Sequence, residues 1–342
     1  MPESLPFVTI VVPTLNEERY IEACLRSLID SVRDIRCEIL VVDGGSSDRT
    51  VELATMMPPG PVAISVLHNP KRLQSAALNL AAALAFPEAT VLVRADAHAR
   101  YPRDFIRTCV EALIDHDATS VVVPMLTEGH AGMQRAVAAV QNSRLGNGGA
   151  AHRISGSSRF VDHGHHAAFD RVFFRRIGGY DETFSHNEDA EFDLRAARAG
   201  GRIWICSEAT VAYYPRDTLD SVAKQYARHG RGRAKTLLLH RLRPKFRQVA
   251  PLGILAGCLG GVLLAPFDSI TLAVPLGYVG VCQGWGIAAS VRRRDPWLLA
   301  MGAAAMAMHF GWAFGFLSEL AMQIRPIRTS KLREPAQAER TG

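Results

Sequence analysis

Carboxylates and imidazoles gather at two points of the chain. In VRADAHARYP (93–102) an apolar run ends at Arg94, and Asp96 and His98 follow two residues apart. In an extended tip, residues i and i+2 project to one side, so the two side chains can converge on one cation. That pair suits a hard or borderline divalent ion that also takes phosphate oxygens. The plainer alternative has Asp96 capping a turn and His98 incidental. In HNEDAE (186–191), Asn187, Glu188 and Asp189 open a helix, where negative groups favour the positive end. A carboxylate there that also faces the Asp96 site can act as a general base.

Strands must carry these groups. FVTIVVP (7–13), EILVVDGG (38–45), VAISVLH (62–68), TVLVRAD (90–96) and SVVVP (120–124) read as strands apolar on both faces. Between them IEACLRSLI, DRTVELATMM, QSAALNLAAALA and PRDFIRTCVEALI repeat apolar residues at i, i+3 and i+4. The alternation predicts an α/β fold with a mostly parallel sheet covered on both faces. Ligands of such sheets sit beyond the carboxyl ends of the strands, which puts Asp43, Asp96 and His98 on one rim. PTLNEE (13–18) follows the first strand; its Asn16 and Glu17 either cap the next helix or line a nucleotide pocket. After the second strand, Ser47 or Asp48 caps a helix. Asp43 has no evident capping role and can accept from a base N–H or a sugar hydroxyl.

Residues 126–170, with NGG, SGSS and DHGHH, read as flexible functional loops. Gly178-Gly179 makes a sharp turn that swings the NED helix (186–201) back over the sheet edge, and 202–215 is a strand pair. In KQYARHGRGR (224–233), Gln225, Arg228, Arg231 and Arg233 are either membrane-surface charge or phosphate contacts.

Three apolar stretches follow, at about 249–267, 270–290 and 297–321, each near the ~20 residues that cross a bilayer core. Much of the net charge of +6 surrounds them, from Arg241, Arg243, Lys245 and Arg247 to Arg292–Arg294 and Arg325, Arg328, Lys331 and Arg333. Basic residues beside apolar runs point to an anionic membrane face. No basic patch is interleaved with aromatics, which excludes nucleic acid as the partner. The first two stretches predict a hairpin, while His309 and Glu319 leave the third open between a span and a re-entrant or interfacial helix. A chain cut after Arg247 is expected to fold. The six scattered cysteines read as reduced thiols, and MPESLPFVTIVVP shows no signal-peptide pattern, so the catalytic part is expected in the cytoplasm.

Taken in order, VVPTLNEE, VVDGGSSDRT, the strand ending in DAH, GGYDETF with NEDAE, and QYARH resemble an inverting glycosyltransferase of family 2 with the GT-A fold, over about residues 7–233. DAHARYP, DHGHH, QYARHGRGR and the apolar tail are similar to the membrane-associated ExoA-like transferases of succinoglycan assembly. The resemblance implies a GT-A catalytic domain over 1–246 and a membrane-embedded helical region with a basic tail over 247–342. Pro13, Thr14, Asn16, Glu17, Asp43, Arg72 and Asp96 would bind the nucleotide-sugar donor, a UDP-sugar. Asp96 and His98 would hold Mg²⁺ or Mn²⁺, Asp189 would be the catalytic base and Glu188 its support. His163, His165, Gln225, Arg228 and Arg231 would serve the acceptor or its phosphates. His98 replaces the second acid of the family's Asp-x-Asp, and His229 stands where Gln-x-x-Arg-Trp ends in Trp.

The implied activity is transfer of a sugar, glucose from UDP-glucose, to a polyprenyl-diphosphate-linked saccharide in exopolysaccharide assembly. The enzyme would sit on the bacterial inner membrane with its catalytic domain facing the cytoplasm. A polyprenyl-phosphate or glycolipid transferase is the alternative, and a non-catalytic scaffold the more distant one. Both Asp96 and Asp189 are present, against the scaffold. PTLNEE stands where a nucleotidyltransferase would need a basic, glycine-rich phosphate loop.

Overall fold

A computed structural model of the chain describes residues 5–32, 35–58, 60, 62–148 and 156–330. It runs through β1 (Phe7–Thr14), α1 (Ile21–Ser31), β2 (Cys37–Asp43), α2 (Thr50–Thr55), β3 (Ala63–His68), α3 (Gln74–Leu84) and β4 (Ala89–Arg94). Next come β5 (Ala99–Arg100), α4 (Phe105–Asp115), β6 (Ser120–Val123), β7 (Met125–Thr127), α5 (Gly132–Gln141), α6 (Arg144–Asn147), β8 (Arg159–Phe160) and β9 (His165–Asp170). Then follow α7 (Arg171–Arg176), α8 (Glu188–Arg198), β10 (Ile203–Ile205), β11 (Val211–Tyr213) and α9 (Leu219–Leu239). The apolar tail forms α10 (Phe246–Leu264), α11 (Ala273–Arg293) and α12 (Met301–Ser330).

Eight strands make one sheet in the order β3-β2-β1-β4-β9-β6-β10-β8, and β5, β11 and β7 make a small second sheet. The first four run parallel, as do β6 and β10, while β9 is antiparallel to both of its neighbours. Val8, Ile10, Val12 and Val93 pack on one face with α1 and α4. Val11 and Leu92 pack on the other with α3 and α8. From β1 the chain goes to β2 on one side, and β4 lies on the other. A crevice therefore opens at the carboxyl ends of β1 and β4, where PTLNEE and ADAH begin.

Some expectations change. β3 is an edge strand with half of its side chains exposed, since among the described residues it has a neighbouring strand on one side only. Residues 126–170 are largely regular, holding β7, α5, α6, β8 and β9, with DHGHH leading into the strand between β4 and β6. Residues 149–155 of that stretch lie outside the described residues. β10 and β11 belong to different sheets instead of pairing.

α10, α11 and α12 are long and apolar enough to cross a membrane. They are not alike. Half of the span in α12 is buried within the protein, against 11% in each of the other two. α12 lies along α9, and its Met301, Ala304, Ala305 and Met308 pack with Val137 and Val140 of α5 and Val222 of α9. Phe316 joins Ala234 and Leu237 of α9. A chain cut after Arg247 would uncover these residues. Lys331 and Arg333 lie outside the described residues.

Candidate active site

The loops after β1 and β2 are tied to each other. Asp43 Oδ2 accepts from the backbone N–H of Gly45 (2.8 Å) and Ser46 (2.9 Å), and Oδ1 accepts from Thr14 Oγ1 (3.3 Å). Asp43 therefore holds its own turn, contrary to the expectation that it had no such role. A carboxylate at a strand end meets the amide groups of the chain as it bends back. Asn16, at φ 58°, does not cap α1, which begins five residues later; its Oδ1 accepts from the Ser47 N–H (2.9 Å). Asp48, not Ser47, takes the Thr50 N–H at the start of α2 (3.0 Å). Arg72 also has a positive φ, 57°, and its Cα lies against Gly44. The expected donor residues Pro13, Thr14, Asn16, Glu17, Asp43 and Arg72 thus stand on the ends of β1 and β2 and the loops adjoining them, at one rim.

Glu17 reaches across to the next loop, where its Oε1 lies 3.2 Å from His98 Nδ1. A carboxylate on one ring nitrogen orients the imidazole and leaves Nε2 for a further partner, the arrangement found behind metal-bound histidines. Asp96 Oδ1 accepts from Gln74 Nε2 (3.0 Å) and Arg94 Nε (3.2 Å), and Oδ2 is 3.4 Å from His165 Nε2. Burial would raise the Asp96 carboxyl, but Arg94, His165 and His98 outweigh it and hold it at about 2. Among the described residues no three His, Cys, Asp or Glu side chains form a metal cage. Asp96 and His98 would supply two ligands, to an ion whose other positions phosphate oxygens could fill.

Gly178 and Gly179 adopt φ 87° and 64°, and a Cβ on Gly179 would lie 3.0 Å from Asn79 Cγ, so the turn there needs glycine. The chain then returns through Tyr180 into α8, which sets Asp189 against Arg94. Asp189 Oδ1 accepts from Arg94 Nη1 (2.7 Å) and Tyr180 OH (2.8 Å) and lies 3.2 Å from His166 Nδ1. Among the described residues no donor reaches its Oδ2, which is not an enclosed atom. Burial would raise Asp189, but Arg94 and then His166 hold its carboxyl well below the ordinary range. Glu188 goes the other way: burial, then the charge of Asp189, push it up to about 7. Two adjacent acids are driven apart, with Asp189 the ionised member at neutral pH.

The residues expected to serve the acceptor do not form one group. His163 Nδ1 lies 2.6 Å from Asp193 Oδ2, and His165 stands against Asp96, where burial lowers it to about 4. Arg228 and Arg231 are exposed on α9, near His186, which burial and then Arg228, Arg231 and Arg216 push down to about 4. Gln225 Nε2 donates to Tyr213 OH (3.3 Å), while its Oε1, like Asn187 Nδ2, is buried with no hydrogen-bond partner among the described residues. Unsatisfied atoms of this kind are places for ligand groups. Sequence reasoning missed Gln74, Tyr180, His166, Asp193 and Arg216. It also passed over Arg94, although a cation closing an apolar strand two residues before Asp96 was a legible sign.

Residues 9–178 match the family described as "Glycosyl transferase family 2". The succinoglycan biosynthesis protein ExoA of Rhizobium meliloti (strain 1021) is 42% identical over 312 residues, covering 91% of this chain and 94% of that protein. A dolichyl N-acetyl-alpha-D-glucosaminyl phosphate 3-beta-D-2,3-diacetamido-2,3-dideoxy-beta-D-glucuronosyltransferase of Methanococcus voltae is 23% identical, covering 92% and 97%. Among solved structures, the mannosyltransferase PcManGT of Pyrobaculum calidifontis, in complex with GDP-Man and Mn²⁺, superposes with a TM-score of 0.60 at 19% identity, over 93% of this chain and 88% of that one. The catalytic sheet is thus the GT-A-like one expected, the protein is a glycosyltransferase, and the chain belongs to glycosyl transferase family 2.

Proposed function

We propose that this glycosyltransferase moves a sugar, glucose from UDP-glucose, onto a polyprenyl-diphosphate-linked saccharide in exopolysaccharide assembly at the cytoplasmic face of the membrane. One observation carries the chemistry: Arg94 binds Asp96 on the donor rim and Asp189 on α8 at the same time, at 3.2 and 2.7 Å. A single guanidinium thereby fixes the base relative to the donor site. In the reaction Asp189 Oδ2 takes the proton of the acceptor hydroxyl as that oxygen bonds to the anomeric carbon. The bond from that carbon to the diphosphate breaks on the opposite face, with inversion. Asp96 and His98 would hold Mg²⁺ or Mn²⁺, which when bound offsets charge on the leaving diphosphate. Arg216, Arg228 and Arg231 offer guanidinium groups to phosphates beside α8.

The similarity to ExoA supports the exopolysaccharide setting, and the dolichyl-linked substrate in the name of the Methanococcus voltae relative supports a lipid-linked saccharide acceptor. The GDP-Man and Mn²⁺ of the solved mannosyltransferase support a nucleotide-sugar donor and a divalent ion. The test is detergent-solubilised enzyme assayed against a panel of nucleotide sugars with a polyprenyl-diphosphate-linked acceptor, alongside Asp189→Asn. The variant should lose about 10²–10⁴-fold in turnover while calorimetry shows donor affinity close to unchanged. Donor binding lost in step with activity would make Asp189 structural and overturn the assignment.

A further inference from the structure

Behind Asp189 lies a chain of titratable side chains that the reaction above does not use. His166 is fully buried on β9, where the alternation of HHAAFD turns it away from His165 and toward α8. Its Nδ1 lies 2.7 Å from Tyr180 OH and 3.2 Å from Asp189 Oδ1, and its Nε2 lies 2.7 Å from Asp193 Oδ1. Asp193, one helical turn beyond Asp189 on the same face of α8, is itself buried and turns Oδ2 to His163 Nδ1 at 2.6 Å. Phe169, Phe192 and Tyr180 pack around the imidazole, with ring centroids 4.8 to 5.9 Å away. Two carboxylates and two imidazoles in an aromatic shell are expensive to desolvate, and such groups persist when they fix a geometry.

We infer that His166 is a positioning residue for the base, and that it pins Asp189 Oδ1 together with Arg94 and Tyr180, with Asp193 and His163 locking its ring. This rests on the reading of Asp189 as the base. Three donors on one carboxylate oxygen restrain the carboxylate from swinging, which keeps Oδ2, with no donor among the described residues, available to the acceptor hydroxyl. Near-attack geometry of that kind is worth orders of magnitude in rate, and second-layer partners of an active group typically contribute about 10–100-fold.

The groups facing His166 are Asp189 and Asp193 from α8, Tyr180 from the turn after α7, Arg94 of β4 through Asp189, and His165 beside it on β9. Burial would lower His166, but Asp193 and then Asp189 raise it to about 9, so it is an imidazolium at neutral pH. As pH rises through that value the imidazolium is lost and turnover should fall.

The experiment compares wild type, Asp189→Asn, His166→Gln, Asp193→Asn and the partly exposed His163→Gln, reading kcat, donor KM and the pH profile of kcat. His166→Gln should lower kcat about 10–100-fold with donor KM unchanged, and its alkaline limb should disappear. Asp193→Asn should act in the same direction more weakly, and His163→Gln more weakly again, by the same loss of ring orientation. If Asp189→Asn is inactive while folded His166→Gln keeps wild-type kcat and pH profile, the positioning role is overturned and the base survives. If Asp189→Asn is fully active, the base assignment itself fails. Should His166→Gln not fold, His163→Gln decides: unchanged kcat overturns the inference, and a loss in kcat alone supports it.

Discussion

Replacing Gly315 with valine tests whether the last apolar helix is part of the enzyme or a mere anchor. α9 and α12 meet through small residues: a Cβ on Gly315 would stand 2.7 Å from Ala227 Cα, and one on Gly311 3.1 Å from Ala223 Cα. From the opposite side, a Cβ on Gly230 would stand 3.0 Å from Phe316 N. Carbons in contact are ~3.5–4.0 Å apart, and the Ala227 carbonyl lies closer still to that Cβ, so the first carbon of a valine side chain parts the helices by at least about 1 Å. A gap of that size forfeits roughly a quarter to a half of the attraction between the atoms it separates. Here those atoms include Phe316 against Ala234 and Leu237. Overpacking costs about 1–3 kcal/mol, and an interface of backbone against backbone has no flexible side chain to yield, which puts the loss near ~3 kcal/mol. In detergent that should lower the Tm by on the order of 5–10 °C. Transfer to a lipid-linked acceptor should fall with it, since α9 carries Gln225, Arg228 and Arg231. Gly277→Val on α11 is the control, because a Cβ there meets nothing within 4 Å. If Gly315→Val melts and turns over like Gly277→Val, α12 is not a structural element of the catalytic region.

Other outcomes follow from the same geometry. Excess chelator should abolish transfer, and His98→Ala should raise the metal concentration needed for half activity about 10–100-fold without changing which donor is used; full turnover in chelator would refute the metal role. His166 has a folded-state pKa raised to about 9 above an unfolded value near ~6.5. Its stabilising contribution, at most about 3 kcal/mol, should be fully present below about pH 6.5 and decline as pH climbs toward 9. Denaturant titrations across that window should show the decline in wild type and not in His166→Gln. A chain ending at Arg247 should be poorly folded or aggregated, with higher dye binding than the full-length enzyme, because it exposes Val137, Val140 and Val222.

Much of this protein was legible in one dimension. Apolar β-branched runs alternating with helical periods leave few arrangements other than a parallel sheet with helices on its faces. The placement of Asp43, Asp96 and His98 at strand ends follows from that arrangement alone. Gly178-Gly179 likewise announced the turn that returns α8 to the sheet. What the sequence could not supply were pairings between distant segments. Asp43 was the exception, a local signal left unread: the amides it binds are those of Gly45 and Ser46, two and three residues on. Asp189 was expected as the base, but not what holds it, since its partners Arg94, Tyr180 and His166 come from three other segments, 95, 9 and 23 residues away. The three apolar stretches had nearly the same composition, yet burial separates them: α10 and α11 present their apolar sides outward, while α12 lies on α9. That difference rests on a few glycines, whose missing side chains matter only once another backbone comes to lie against them.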